Sequence, residues 1–101
     1  MKTIMLVTEV GSFAEDKDAA AQLRTQIILP ALLSGEKVVV DFADVSLTTQ
    51  SFVHALISEA LRVEGEKALE CLVFRNCSPA TRGIVETVVQ YVLETVEDKE
   101  G

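Results

Sequence analysis

The sequence has no tryptophan, one histidine, five glycines and two cysteines among its 101 residues. The glycines form no phosphate-binding loop or nucleophile elbow. Cys71 and Cys77 lack the histidine or carboxylate neighbours of a metal site, so we expect free thiols in a reducing compartment and no metal. A reactive Cys77 at the start of a helix is the alternative. These absences indicate a protein that is not an enzyme and needs no cofactor.

Long hydrophobic runs are also missing. No stretch approaches the ~20 apolar residues that span a bilayer, and the N-terminal run is shorter than the ~7–15 residues of a signal-peptide core. We therefore expect a cytoplasmic protein that does not bind membranes. The nine basic residues are scattered and the net charge is −7, which excludes nucleic acid as the expected partner and favours a basic protein surface.

Three apolar runs each precede a helix-like pattern. The runs are Thr3–Val7, Lys37–Phe42 and Ala68–Phe74. Alternation of this kind predicts an α/β domain of three β–α units with a largely parallel sheet. We assign this domain to residues 1–95 and an acidic solvated tail to residues 96–101.

Each predicted helix has an apolar stripe. The first begins near Lys17, with Asp16 or Ser12 as its N-cap, and should be kinked or broken at Pro30. The predicted buried positions are Ala20, Leu23, Ile27 and Ala31 in the first helix, Val53, Leu56, Ile57, Ala60 and Leu61 in the second, and Ile84, Val85, Val88, Tyr91 and Val92 in the third. Ser78 and Pro79 are typical of the start of the third helix.

The segment between the second strand and its helix is unusually polar. Thr48, Thr49, Gln50 and Ser51 follow one another, although one N-cap is enough for a helix. In a parallel sheet this loop lies at the carboxyl edge, where ligands and partners bind. A phosphate on Ser51 or Thr49 would be stabilised by the helix N-terminus, so both are candidate phosphoacceptors.

The helix that follows carries a polar stripe at a spacing of four residues. His54, Ser58 and Arg62 form this stripe, and with the Thr48–Ser51 segment they make the predicted partner-binding surface. Ser51 and His54 are also spaced as a nucleophile and base would be, but no orienting third group is evident.

Polar residues near the strand ends suggest a second kind of site. Asp41 ends the central apolar strand, where a buried carboxylate needs hydrogen-bond partners. Asn76, Ser78 and Arg82 follow the third strand. The four residues are the candidate anion-binding group.

Several stretches resemble a known family. The segments "VVVDFADVSLTTQSF", "RTQIILPALL" and "FRNC" resemble the STAS-like domain family of unknown function of bacteria and mobile elements. That family is similar to the STAS domains of anti-anti-sigma factors, and the resemblance implies helices packed mainly on one face of the sheet.

The resemblance also implies a mode of action. In STAS domains a kinase-like ATPase of the histidine-kinase fold phosphorylates a serine at the start of a helix, and the phosphate controls binding to that ATPase. Asp41 matches the strand-end carboxylate. The usual phosphoserine position falls on Gln50, and a shift of one residue places it on Ser51.

Three functions remain open from the sequence. The first is a regulatory domain that binds a protein partner through the start of the second helix. The second is a nucleotide- or anion-binding domain or small enzyme at the carboxyl edge of the sheet. The third is a self-associating subunit, a candidate homodimer, of a defence or mobile-element assembly.

Overall fold

The computed structural model of the protein describes residues 1–100, with side chains for residues 1–95. The strands are β1 (Lys2–Met5), β2 (Phe13–Ala14), β3 (Val38–Asp41), β4 (Leu47–Thr48) and β5 (Leu72–Arg75), and the helices are α1 (Leu6–Val10), α2 (Lys17–Leu23), α3 (Leu29–Leu33), α4 (Gln50–Glu64), α5 (Glu66–Cys71) and α6 (Pro79–Glu100). A π-helical turn, Arg24–Ile28, joins α2 to α3. The acidic tail predicted at 96–101 lies outside the residues whose side chains are described.

The main sheet contains three parallel strands in the order β1-β3-β5. Val39 pairs with Thr3 on one side and with Val73 on the other. All four residues of β3 are buried, as expected for a central strand that reads apolar at consecutive positions. The predicted α/β class and the parallel sheet are confirmed.

The main helices lie side by side on one face of this sheet. The middle helix, α4, contacts α2 on one side and α6 on the other. Their buried residues form one core with alternate residues of the strands, among them Ile4, Val38, Val40 and Leu72. The opposite face exposes Thr3, Met5, Val73 and Arg75 around the buried Val39. The core therefore lies between the three strands and a single layer of helices.

The helical run around Pro30 is continuous but contains one wide turn. The Leu29 N–H donates to the Arg24 carbonyl five residues earlier, which is a π-type hydrogen bond. The extra residue moves the buried stripe from the predicted Ile27 to Ile28, and Ile27 is only half-buried. We attribute the wide turn to Pro30, which has no N–H to continue the regular α-helical ladder.

The first and third β–α units differ from their predictions. Leu6 and Val7, predicted as strand, begin the helix α1. Residues 68–71, predicted as strand, belong to the helix α5, which begins after Gly65 at a φ of 62°. The strand β5 therefore starts only at Leu72. The apolar face predicted for α6 is correct for Val85, Val88 and Val92, but the Tyr91 side chain is 59% exposed.

The helix α6 begins as predicted and is the longest helix, with 22 residues. The Ser78 hydroxyl accepts a hydrogen bond from the Thr81 N–H at 3.1 Å, and Pro79 occupies the first helical position. Of the helices in residues 1–100, none combines the length and apolar character needed to cross a membrane.

Candidate functional site

A second, very short parallel ladder stands above the carboxyl edge of the main sheet. It pairs β2 with β4, so that Phe13 lies beside Leu47 and Ala14 beside Thr48. The Ser46 N–H donates to the Ser12 carbonyl at 2.8 Å and the Thr49 N–H donates to the Ala14 carbonyl at 3.0 Å. These bonds hold the first and second loops together at the start of α4.

Hydroxyl groups connect this ladder to the third loop. Ser78 Oγ donates to Thr81 Oγ1 at 3.1 Å, and Thr81 Oγ1 donates to Thr48 Oγ1 at 3.3 Å. Thr48 and Thr81 are both buried. The chain Ser78–Thr81–Thr48 therefore satisfies two buried hydroxyls and fixes the start of α6 against β4.

The start of α4 has one capping residue and two exposed polar residues. Thr49 is the N-cap, and its Oγ1 accepts from the Phe52 N–H at 3.2 Å. Gln50 and Ser51 follow and are exposed. A cavity of about 450 Å³ is lined here by Gln50 and Ser51 together with Lys17, His54 and Ala55. The Ser51 hydroxyl thus lies at an open, cation-flanked helix start.

The structure divides the predicted partner-binding surface. Thr48 is 8% exposed and Ser58 is 4% exposed, so these two side chains do not form part of a docking surface. Sequence spacing placed Ser58 on a polar stripe, but the packing of α4 against its neighbouring helices covers that position. Gln50, Ser51 and Arg62 are exposed, while Thr49 and His54 are half-buried.

His54 packs towards α6 and makes no hydrogen bond with Ser51 among the described side chains. Its ring lies 6.5 Å from the Tyr91 ring, measured between centroids, at a tilt of 52°. The two rings form a tilted aromatic pair on the outer surface of α4 and α6. Ser51 and His54 line the same cavity, but no hydrogen bond joins them in the described part of the chain.

Asp41 and Asn76 form a closed polar pair at the end of the sheet. Asp41 Oδ1 accepts from Asn76 Nδ2 and from the Ala43 N–H, both at 2.9 Å. These hydrogen bonds, that from Asn76 first, lower the pKa of Asp41 below its ordinary value, with a smaller contribution from Arg75. Asn76 itself adopts a left-handed φ of 59°, which asparagine tolerates.

This pairing corrects the predicted anion-binding group. An ionised Asp41 repels anions. The Asn76 amide already donates a hydrogen bond to Asp41. The Ser78 hydroxyl is engaged in the cap of α6, and Arg82 is exposed and lines a different cavity beside α6. Burial raises the pKa of the nearby Cys77 thiol in spite of Arg82, which disfavours a reactive thiolate. The four residues therefore do not converge on one anion.

The most prominent feature of this edge was missed from the sequence. Phe13 is 58% exposed and Leu47 is 45% exposed, and the two are direct partners in the β2–β4 ladder. Exposed acidic residues, Glu15 and Asp44, lie next to this ladder in sequence. Two-residue strands have no periodicity that could be recognised, so only the apolar character of Phe13 and Leu47 within polar loops could have signalled them.

These observations define a small α/β domain of the STAS-like class, with a parallel sheet, one helical layer and a polar loop at the start of the second main helix. The family model described as "STAS-like domain of unknown function (DUF4325)" matches residues 19–82, and the chain belongs to that family. Comparison with curated proteins and with solved structures found no match.

Proposed function

We propose that this protein is a non-enzymatic regulatory domain that binds a protein partner at the start of α4. The observation that carries the proposal is the exposed pair Phe13 and Leu47, held by the β2–β4 ladder beside the open first turn of α4. We name this surface, formed by Phe13, Leu47, Gln50 and Ser51, the α4 rim. Exposed apolar anchors with a polar surround are typical of binding interfaces.

The backbone beneath the α4 rim supports a docking role. Hydrogen bonds from Ser46, Leu47 and Thr49 hold the loops in one conformation, so little conformational entropy is lost when a partner binds. The net charge of −7 favours a partner with a basic surface, and Glu15 and Asp44 beside the ladder are placed to meet it.

Regulation by phosphorylation is the second part of the proposal. Ser51 is exposed in the first turn of the 15-residue helix α4, where free N–H groups and the helix dipole stabilise a phosphate. Lys17 lines the same cavity and supplies a positive charge. Thr49 is the weaker candidate because its hydroxyl already caps the helix.

The binding partner in the test is a purified ATPase of the histidine-kinase-like fold, the class of partner that we propose. We expect Phe13→Ala to weaken binding by about tenfold or more in titration calorimetry, since anchor residues at interfaces carry about 2 kcal/mol or more. Leu33→Ala is the matched control, because Leu33 is also exposed, at 72%, and it ends α3 before the start of β3, whereas the α4 rim follows the end of β3.

The same titration separates docking from regulation. Ser51→Asp should weaken the complex and Ser51→Ala should leave both folding and binding intact, with Ser34→Asp as the control at a distant exposed serine. Mass spectrometry after incubation with the ATPase and ATP should locate a phosphate on Ser51. Binding that is unchanged by both Phe13→Ala and Ser51→Asp would show that the α4 rim is not the interface.

A further inference from the structure

The strand β5 lies at the open edge of the main sheet. Among the described strands it pairs only with β3. The Arg75 carbonyl accepts from the Phe42 N–H at 2.8 Å, so Arg75 directs its backbone groups towards the end of β3. Because successive residues of a strand alternate in this respect, Phe74 directs its N–H and C=O groups away from the sheet. An exposed edge of this kind is a template for a further strand.

An apolar groove runs beside this edge. Its volume is about 580 Å³, and its apolar lining consists of Leu69, Leu72, Phe74, Val85, Val89 and Leu93. Val89 and Leu93 are only partly buried and form the α6 side of this groove, opposite Leu72 and Phe74 of β5. The apolar surface of α6 is therefore wider than three strands can bury.

Charged side chains stand at the two ends of this groove with opposite signs. Arg82 lines the groove in the first turns of α6, whereas Glu94 lies far along α6 and accepts a hydrogen bond from Gln90, which also lines the groove. Glu86 lies between them in the lining. Within residues 1–95, Arg82, Glu86 and Glu94 form no ion pair in the chain. A surface with one positive and one negative end is complementary to itself when it is turned end to end.

We propose that a second copy of this chain fills the groove. In this two-fold dimer β5 pairs antiparallel with β5 of the second copy, which gives a continuous six-stranded sheet. The two α6 helices then pack along the groove through Val89 and Leu93. Arg82 of each copy lies near Glu94 of the other. The proposal is independent of the partner at the α4 rim.

The experiment measures the mass of the full chain by sedimentation velocity over a wide range of concentration. We expect a dimer of twice 11.0 kDa. Val89→Glu, which places a charge in the groove, should return the chain to a monomer with an unchanged helical circular dichroism signal. Val63→Glu is the matched control, because Val63 is 60% exposed at the end of α4, and it should leave the dimer intact.

A charge exchange tests the two-fold arrangement without altering the apolar groove. Arg82→Glu in one chain, and Glu94→Arg in another, should each weaken self-association at least tenfold. An equimolar mixture of the two should recover a dimer. A monomer at every concentration, or a dimer that neither Val89→Glu nor the exchanged charges affect, would overturn the proposal. The first result would leave the groove to a different polypeptide.

Discussion

The α4 rim and the outer edge of β5, here called the β5 edge, are both exposed, but they differ in whether backbone groups or side chains are left without a partner. At the α4 rim the backbones of the first and second loops are hydrogen-bonded to each other, and only side chains such as Phe13 and Ser51 remain free to act. At the β5 edge the side chains form an apolar groove and the backbone of Phe74 lacks a neighbouring strand. The comparison suggests that the α4 rim suits a reversible partner and that the β5 edge suits permanent association.

The largest expected effect is a difference in the free energy of unfolding between variants of a buried phenylalanine and an exposed one near the α4 rim. Phe52 is fully buried in the first turn of α4, whereas Phe13 is 58% exposed. Phe52→Ala should lower the free energy of unfolding by about 3–5 kcal/mol through lost burial and a cavity. Phe13→Ala should change it by less than about 0.5 kcal/mol.

Urea denaturation measures both values. If Phe13→Ala proved as destabilising as Phe52→Ala, Phe13 would be a core residue and the α4 rim would lose its anchor.

The next effect concerns the hydroxyl chain that joins the α4 rim to the start of α6. Thr81→Val removes the donor to Thr48 Oγ1 and leaves a buried hydroxyl without its partner, which should cost about 1–3 kcal/mol. The double variant Thr48→Val/Thr81→Val should cost less than the sum of the single changes, because no unpaired hydroxyl remains at that contact. Strictly additive unfolding free energies would show that the contact is not energetically coupled.

A smaller effect distinguishes the two candidate phosphoacceptors. Thr49→Ala removes the N-cap of α4 and should lower the unfolding free energy by about 0.5–2 kcal/mol. Ser51 is exposed in the first turn of α4, so Ser51→Ala should change the unfolding free energy by less than about 0.5 kcal/mol. Thermal denaturation of the two variants measures the difference, and equal losses would assign a structural role to Ser51 as well.

The smallest effect is a dependence on pH at the end of the sheet. The folded state lowers the pKa of Asp41, so the ionised carboxylate stabilises the protein above its unfolded pKa and this contribution is lost as pH falls through the folded value. Wild-type stability should therefore decline in acid more steeply than that of Asp41→Asn. Parallel acid-limb slopes in the two proteins, measured by urea denaturation, would contradict this assignment.

Elements with a long apolar run, a helical apolar stripe or clear capping residues were predicted from the sequence. Shorter elements without such a pattern were missed. The parallel strands β1, β3 and β5, the buried stripe of α4 and the cap at Ser78 follow from apolar runs and capping chemistry. The β2–β4 ladder is too short to show a period, and α5 was hidden because Ala68–Phe74 is apolar enough to resemble one strand. Local patterns alone do not reveal either element.

The candidate site was predicted in location but not in composition. The polar loop before α4 lies at the carboxyl edge as expected, with Ser51 exposed at the start of the helix. Burial of Thr48 and Ser58 and the pairing of Asp41 with Asn76 depend on contacts between residues at least 33 positions apart or on helix packing. Sequence spacing within one helix contains no information about such contacts.

The wide turn before Pro30 gives the first helical run one residue more than a regular helix of the same height would hold. Removing one residue, such as the exposed Gln26, from a chain that also carries Pro30→Ala would let the turn close to the ordinary α-helical spacing. The buried positions on both sides would then keep their places against α4. In the Pro30→Ala background this segment should therefore tolerate a single-residue deletion that a regular turn of the helical layer would not.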